Sequence, residues 1–230
     1  MRKGENGRAE AEVHLLSRGN VAWRVSRGGG DGASPRLYKG IMRVIAGEYR
    51  RRTLRSLPGI EIRPTADRLR ETLFNVLCSG DPAALAESTW LDLYAGTGAV
   101  GIEALSRGAR IVYFVESSKA AADLIATNLK SLGIARGFQI VKADTGKALL
   151  QLEAAESVAD FVFLDPPYSM QDEYAKSLAA LAQSKLLHDR SLVIAEHQKR
   201  FDPGDAFGEL RRYRKLVQGD AALSFYRRQI

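Results

Sequence analysis

The 230-residue sequence predicts an α/β fold. Its sheet should be mostly parallel, covered by helices, closed by a C-terminal antiparallel hairpin and preceded by a small N-terminal β-hairpin and helix. Three observations carry this reading. From Trp90 onward, short apolar runs alternate with amphipathic stretches of helical length, the pattern of right-handed βαβ crossovers. A glycine-rich turn follows the first apolar run. The chain ends in two strand-like segments, Glu209–Val217 and Leu223–Arg228, around Gly219-Asp220, too close together for a crossover.

Residues 1–41 hold eight of the 21 glycines, including Gly28-Gly29-Gly30 and Gly32, with no sustained periodicity. Val13/Leu15 and Val21/Trp23/Val25 alternate around Ser17–Asn20, which allows a loose hairpin, but the composition predicts a largely disordered basic extension. Regular structure is expected from Met42. Arg43–Gly47 and Thr53–Arg55 read as short strands around an arginine run, Pro58-Gly59 as a turn, and Ile60–Ile62 as a further strand. Thr65 is a candidate N-cap for a helix through about Cys78, with Leu69, Leu73, Val76 and Leu77 on one face and Gly80 as terminator.

The strands that follow are expected at Trp90–Tyr94, Ile111–Glu116, Phe138–Lys142, Asp160–Leu164 and Leu192–Glu196. Helices are expected at Val100–Arg107, Lys119–Leu132 and Asp172–Ser184. The predicted organisation is an extension over 1–41, a hairpin-and-helix appendage over 42–80 and a main domain over 81–230.

Charge is distributed unevenly. Residues 1–41 carry a net +4 and residues 42–70 a net +5, whereas the remaining 160 carry −2. A near-neutral body with a basic N-terminal third suggests an anionic partner held at one end. The lone Cys78 excludes an internal disulfide framework, and His14, His188 and His197 have no metal-ligand spacing, so a reducing cytoplasm and no bound metal are expected. No apolar run reaches the length of a membrane span, and no apolar segment backs the basic N-terminus as in a secretory signal.

Two motifs carry chemistry. Asp92-Leu-Tyr-Ala-Gly96-Thr97-Gly98-Ala-Val-Gly101 fits G-x-G-x-x-G between a strand and a helix, where glycines let the backbone turn and a ligand approach closely. Glu116, 18 residues beyond Gly98, ends the next strand, where a carboxylate can accept ribose hydroxyls. This pattern alone admits a nicotinamide dinucleotide or S-adenosylmethionine. Asp92 favours the second, since a carboxylate there suits a sulfonium or ammonium and repels a pyrophosphate. Asp144, after the third strand, is a candidate for an adenine amino group or a plain turn residue.

The second motif is Asp165-Pro166-Pro167-Tyr168, directly after the apolar Phe161–Leu164. An exocyclic base amine is a poor nucleophile because its lone pair is delocalised. A carboxylate and a backbone carbonyl accepting its two hydrogens can aim that lone pair at a methyl donor. The prolines fix φ, and Tyr168 offers a stacking face for a flipped base.

Together these residues resemble the class I, Rossmann-like methyltransferases that act on exocyclic amino nitrogens. Met42-Arg-Val-Ile-Ala-Gly47, the arginine run and Arg63-Pro64-Thr65-x-x-Arg68-x-Arg70-Glu71-Thr72-Leu73-Phe74-Asn75 resemble more closely the RsmD family of bacterial 16S ribosomal RNA guanine-N2 methyltransferases. The resemblance runs from Met42 almost to Ile230 and does not include residues 1–41.

It implies a seven-stranded sheet with its last strand antiparallel, S-adenosylmethionine as donor, and a guanine of the assembled small ribosomal subunit as target; a monomer is expected. By position, Asp92, Gly96, Thr97, Gly98, Glu116 and Asp144 inherit cofactor roles, and Asp165, Pro166 and Tyr168 inherit base binding and catalysis. Arg50, Arg51, Arg52, Arg55 and Arg63 are expected to contact RNA phosphates, making 42–80 an RNA-binding appendage; the alternative is a solvated strand face. Rival readings are an amino methyltransferase of DNA adenine or cytosine, a nicotinamide oxidoreductase and a non-catalytic RNA-binding assembly factor.

Overall fold

The computed structural model describes residues 15–16, 20–21, 42–56 and 64–229. They belong to two units, Met1–Tyr38 and Lys39–Ile230. In the first, β1 (Leu15–Leu16) pairs antiparallel with β2 (Asn20–Val21), Leu15 opposite Val21. At these four residues the hairpin alternative holds in place of an unstructured extension; the rest of 1–41 lies outside the described residues.

The second unit begins with a tight excursion rather than two strands. Arg43 and Thr53 form a single antiparallel bridge, flanked by Leu54 N–H to Met42 O at 2.8 Å and Val44 N–H to Arg52 O at 2.9 Å. The expected ladder through Gly47 fails for a physical reason. The N–H groups of Ile45 and Ala46 donate instead to the Glu103 carboxylate, at 2.7 and 2.9 Å. The chain then turns through Gly47 and Arg51, at φ +79° and +69°.

Helix α1 (Pro64–Leu77) follows. Pro64 is its first residue, so Thr65 is not the cap: proline lacks the N–H that a first helical residue leaves unpaired and brings a helical φ. Pro58-Gly59, Ile60–Ile62 and Arg63 fall outside the described residues. Leu69, Leu73 and Phe74 are buried, and the chain leaves the helix through Gly80, at φ +90°.

The main sheet uses β3 (Thr89–Asp92), β4 (Ile111–Val115), β5 (Phe138–Val141), β6 (Ala159–Leu164), β7 (Leu187–Gln198), β8 (Ala206–Phe207), β9 (Leu210–Gln218) and β10 (Ala221–Arg228). Their order is β5-β4-β3-β6-β7-β10-β9-β8. β3 to β7 are mutually parallel, whereas β10 runs antiparallel to both β7 and β9. The short β8 makes this an eight-stranded sheet, one more than the resemblance implies.

Helices α2 (Ala99–Ser106), α3 (Lys119–Leu132), α4 (Thr145–Ala154) and α5 (Asp172–Gln183) connect the strands. The sequence reading has no helix at α4. Its apolar positions Ala148, Leu149 and Leu152 do fall on one helical face, and all are buried. The strand read as Leu192–Glu196 extends over twelve residues in β7.

Two apolar layers sandwich the sheet. One joins α1, α2 and α3 to Trp90, Phe114, Phe161, Ile194 and Phe225; the other joins α4 and α5 to Leu91, Val162, Leu164 and Val193. Trp90 stacks between Phe74 of α1, at 5.4 Å, and Phe161 of β6, at 5.3 Å. Val44, Leu54, Leu69 and Phe74 belong to the first layer, so the described residues of 42–80 pack into the main core rather than standing apart from it. The chain steps outward from β3 to β4 and β5, then returns to the other side of β3 with β6. This reversal opens a crevice above the C-terminal ends of β3 and β6, where open α/β sheets bind ligands.

Candidate functional site

The loop between β3 and α2 is shaped by its glycines. Gly96 and Gly98 have φ +53° and +78°, and Gly98 caps α2 from the left-handed region. A Cβ at Gly101 would lie 2.3 Å from the Phe114 ring, so only glycine lets α2 settle this closely on β4. Glu116 holds the loop from the neighbouring strand. One carboxylate oxygen accepts Gly96 N–H at 2.9 Å and the other accepts Ser118 N–H at 2.7 Å. Two hydrogen bonds leave lone pairs on both oxygens for a further donor.

A cavity of about 530 Å³ opens beside this loop, within the range of small-ligand sites. Gly96, Glu116, Asp144, Asp165, Pro166 and Tyr168 all line it, so both motifs share one crevice. Asp165 sits immediately after β6, and burial pushes its carboxyl up to about 7. Pro167 O accepts Met170 N–H at 2.7 Å, turning the chain after the motif. Tyr168 and Met170 are exposed at the mouth, at 41% and 46%.

Three predicted cofactor residues, Asp92, Thr97 and Gly98, lie off the cavity wall. Asp92 is 1% exposed, lies beneath the loop rather than on the cavity wall, and accepts Gly101 N–H at 3.1 Å. Its burial raises it to about 7, opposed by that hydrogen bond and reinforced by the charges of Asp165 and Glu116. Its geometry is that of a brace at the start of α2, not of a counter-ion facing a ligand. Thr97 points its hydroxyl at Met42 Sδ, 3.4 Å away, and its carbonyl accepts from Asn128 at 2.9 Å. Gly98 packs toward Ile125.

Asp144 does line the cavity, but it also caps α4. It accepts Lys147 N–H at 3.0 Å and pairs with Lys147 Nζ at 3.1 Å; these hydrogen bonds hold it below the usual carboxylate range.

Arg50, Arg51, Arg52 and Arg55 are exposed on a flank formed with α2 and α3, outside the cavity lining. Arg52 donates to Ser131 O at 2.9 Å, and Arg55 N–H to Asn128 Oδ1 at 2.8 Å. The whole excursion is sewn to α2: Glu48 N–H donates to Ser106 O and Tyr49 N–H to Ser106 Oγ, at 2.8 and 3.0 Å.

Two residues close to Asp165 or acting on its neighbour carry no role in the sequence reading. Glu196 of β7 lies one position beyond the paired Leu164 and Ala195, which sets it beside Asp165 across adjacent parallel strands. Burial first, then the Asp165 charge, raises its carboxyl well above the usual range, and Arg70 opposes the rise. Arg70 of α1 is 6% exposed and donates to Arg43 O at 2.7 Å and Asp67 at 3.0 Å. Burial lowers its own pKa. Only strand register unites Glu196 with Asp165, so spacing along the chain gave no signal. Among the described residues, no group of three His, Cys, Asp or Glu side chains is set to hold a metal ion.

The family model described as "Conserved hypothetical protein 95" matches residues 42–227. The ribosomal RNA small subunit methyltransferase D of Haemophilus influenzae is 35% identical over 161 residues, covering 70% of this chain and 81% of that protein. The solved structure of yhhF from Escherichia coli superposes with a TM-score of 0.70 at 29% identity, covering 83% of this chain and 99% of that one. At 16% identity and a TM-score of 0.57, SMU.776, solved in complex with SAH, shares the fold over 72% of this chain and 50% of its own.

Proposed function

This chain belongs to the conserved hypothetical protein 95 family, the RsmD family, and from that premise we propose that it methylates the exocyclic N2 amine of a guanine in 16S ribosomal RNA. The donor in this reading is S-adenosylmethionine, and the substrate is the RNA within the small ribosomal subunit. The observation that carries it is the shared crevice: Glu116 and Gly96 on one wall and Asp165 with Tyr168 on the other line a single cavity.

The residues fit such a donor. Gly96 leaves the loop without a Cβ against the ligand, the free lone pairs of Glu116 can accept ribose hydroxyls, and Asp144 stands at the end of β5 to meet the adenine edge. When bound, the donor supplies a methyl group on a positively charged sulfur. Asp92 supports the reading indirectly, by holding the loop through Gly101.

Asp165 and a backbone carbonyl of the motif accept the hydrogens of the target amine. A carboxylate can engage guanine N1–H and N2–H together, whereas adenine presents an acceptor at N1, so the motif favours guanine. The nitrogen–carbon bond forms as the carbon–sulfur bond breaks, and the amine then loses a proton to solvent or to Asp165. Tyr168 stacks on the base at the mouth.

The test is transfer of isotope-labelled methyl from S-adenosylmethionine to assembled small subunits, naked 16S rRNA and duplex DNA, with mass-spectrometric mapping of the product. Methyl-N2-guanine at one position of the small-subunit RNA is the expected result. Label on DNA amines, or on no nucleic acid, would overturn the proposal.

A further inference from the structure

The terminal hairpin has two faces with opposite treatment of positive charge. In β9 and β10, Arg212 is paired with Tyr226 and Lys215 with Ser224, so these two basic residues share one face. Their charges are met there: Arg212 bonds Asp202 at 2.6 Å and also Asp205, and Lys215 bonds Asp202 at 3.0 Å. The other face pairs Arg214 with Phe225 and Arg211 with Arg227. The register shifts between Phe225 and Tyr226, which leaves Tyr213 as the extra residue and allows its ring onto this second face.

On that second face the cations lie on rings rather than carboxylates. The Arg227 guanidinium sits 3.9 Å from the centre of the Tyr213 ring, and that of Arg214 sits 5.9 Å from Phe225. Arg211 donates to the carbonyls of Leu210 and Gly208. None of the three has a carboxylate partner among the described residues, and all are exposed. Tyr213 is itself 43% exposed. Two arginines directly opposite one another weaken a strand pair. An anion lying across such a pair would relieve that repulsion.

We propose that Arg211, Tyr213, Arg214 and Arg227 form a second RNA-contacting surface, binding backbone phosphates of the substrate and stacking a base against Tyr213. Exposed guanidiniums without carboxylate partners, set around a partly exposed tyrosine ring, suit a nucleic acid better than an acidic peptide, which offers charge without stacking planes. The surface lies on the same side of the sheet as α1, α2 and α3, since Phe225 belongs to their core layer. Glu196 pairs with Leu223, so Arg227, four residues farther on, is roughly 13 Å along the strand from the carboxylate edge. A target base in the crevice cannot reach it. The contact is therefore with RNA flanking the target, where it would fix the position of the RNA on the protein. This inference rests on the RNA reading above.

The test measures binding of a short stem–loop RNA, a matched duplex DNA and heparin to the full chain, with salt titrations and thermal melts. The triple variant Arg211→Gln, Arg214→Gln, Arg227→Gln should bind the RNA at least about tenfold more weakly. It should also lose about two from the slope of log K against log salt, at roughly 0.7–0.9 per phosphate contact. Tyr213→Ala should weaken RNA binding several-fold, whereas Tyr213→Phe should not. Should the triple variant melt early, Arg214→Gln alone reads a slope change of about one.

Wild-type affinity and slope in a folded triple variant would overturn this surface while leaving the RNA reading intact. Equal effects on heparin with no effect of Tyr213→Ala would make it a general polyanion face and overturn the RNA assignment. Failure of the native chain to bind any RNA would overturn the proposed function itself, and this surface with it.

Discussion

Asp165 and Glu196 stand side by side at the ends of adjacent parallel strands, one residue beyond the Leu164–Ala195 pair. Both face the layer that carries α1, and both are raised by burial, Asp165 to about 7. The charges acting on them are each other, Asp92 from β3 and Arg70 from α1. Two neighbouring carboxyls titrate as a pair, and desolvation together with their mutual repulsion makes ionising both of them costly.

This pair has a consequence for stability. Asp92, Asp165 and Glu196 keep their protons to higher pH when folded than when unfolded. From about pH 4 to 7 the folded chain therefore binds more protons, and its stability falls as pH rises. Melting temperature should decline between pH 5 and 8 in the cofactor-free protein. Glu196→Gln should flatten that decline and raise the melting point at pH 8 by a few degrees, the shift about 1–2 kcal/mol produces at this size. A melting point that climbs across this window would mean that these carboxyls ionise without cost.

Glu116→Ala removes the acceptor of both Gly96 N–H and Ser118 N–H. Affinity for S-adenosylmethionine should fall by about 1–3 kcal/mol, the range for losing hydrogen bonds to a charged group. Isothermal calorimetry on the purified variant reads this directly. Undiminished affinity would take Glu116 out of the donor site.

Gly47→Ala tests how firmly residues 42–56 are part of the fold. A Cβ there would lie 1.8 Å from the Ser106 carbonyl oxygen, at a backbone φ of +79°. Backbone has nowhere to yield, so the segment must lift from α2 and break the Glu103 bonds to Ile45 and Ala46. The loss should reach about 1–3 kcal/mol or more, as for other overpacked sites. Chemical denaturation measures it, and a neutral result would mean that the excursion floats free of the helix.

How much of this was legible in the sequence depended on how far apart the cooperating residues lie. The strands and α3 were readable because each buries a local apolar pattern, and the crevice followed from Gly96 and Asp165 each ending a strand. α4 is not, because Asp144 reads as a cofactor or turn residue although it in fact caps the helix. Asp92 was read as a counter-ion because its spacing fits one; its carboxylate is instead sealed under the loop by Gly101. The strands expected around the arginine run reduce to one bridge because a glutamate more than fifty residues away takes their N–H groups. No local pattern encodes that donation, nor the charge of Arg70 acting on Glu196.

Replacing Arg50, Arg51 and Arg52 with Ala should raise KM for the RNA and flatten its salt dependence by about one per lost phosphate contact or less. Their side chains are exposed and outside the cavity lining, so kcat at saturating RNA should hold. A fall in kcat with KM and salt slope unchanged would refute the phosphate role. Arg52 also bonds Ser131 O, so a melt of the triple variant separates lost packing from lost charge.

Asp165 offers the sharpest test, because its two expected effects have opposite signs. As a desolvated carboxyl near Asp92 and Glu196 it adds repulsion to the folded state. Asp165→Asn should therefore melt at the same temperature or higher at pH 8. Donor affinity should change little, since Gly96 and Glu116 hold their own bonds without it. Methyl transfer, however, needs an acceptor whose grip strengthens as the amine gains positive charge, and an amide supplies only a weak one. Single contacts of this kind are worth on the order of 10²–10³ in kcat. Single-turnover transfer, donor titration and a melt on one preparation read all three quantities. Near-normal turnover with intact binding would defeat the mechanism, for the amine would then need no help from this carboxylate. A joint fall of turnover, binding and melting temperature would instead make Asp165 a turn residue of the fold, and the rise in its pKa a by-product of burial.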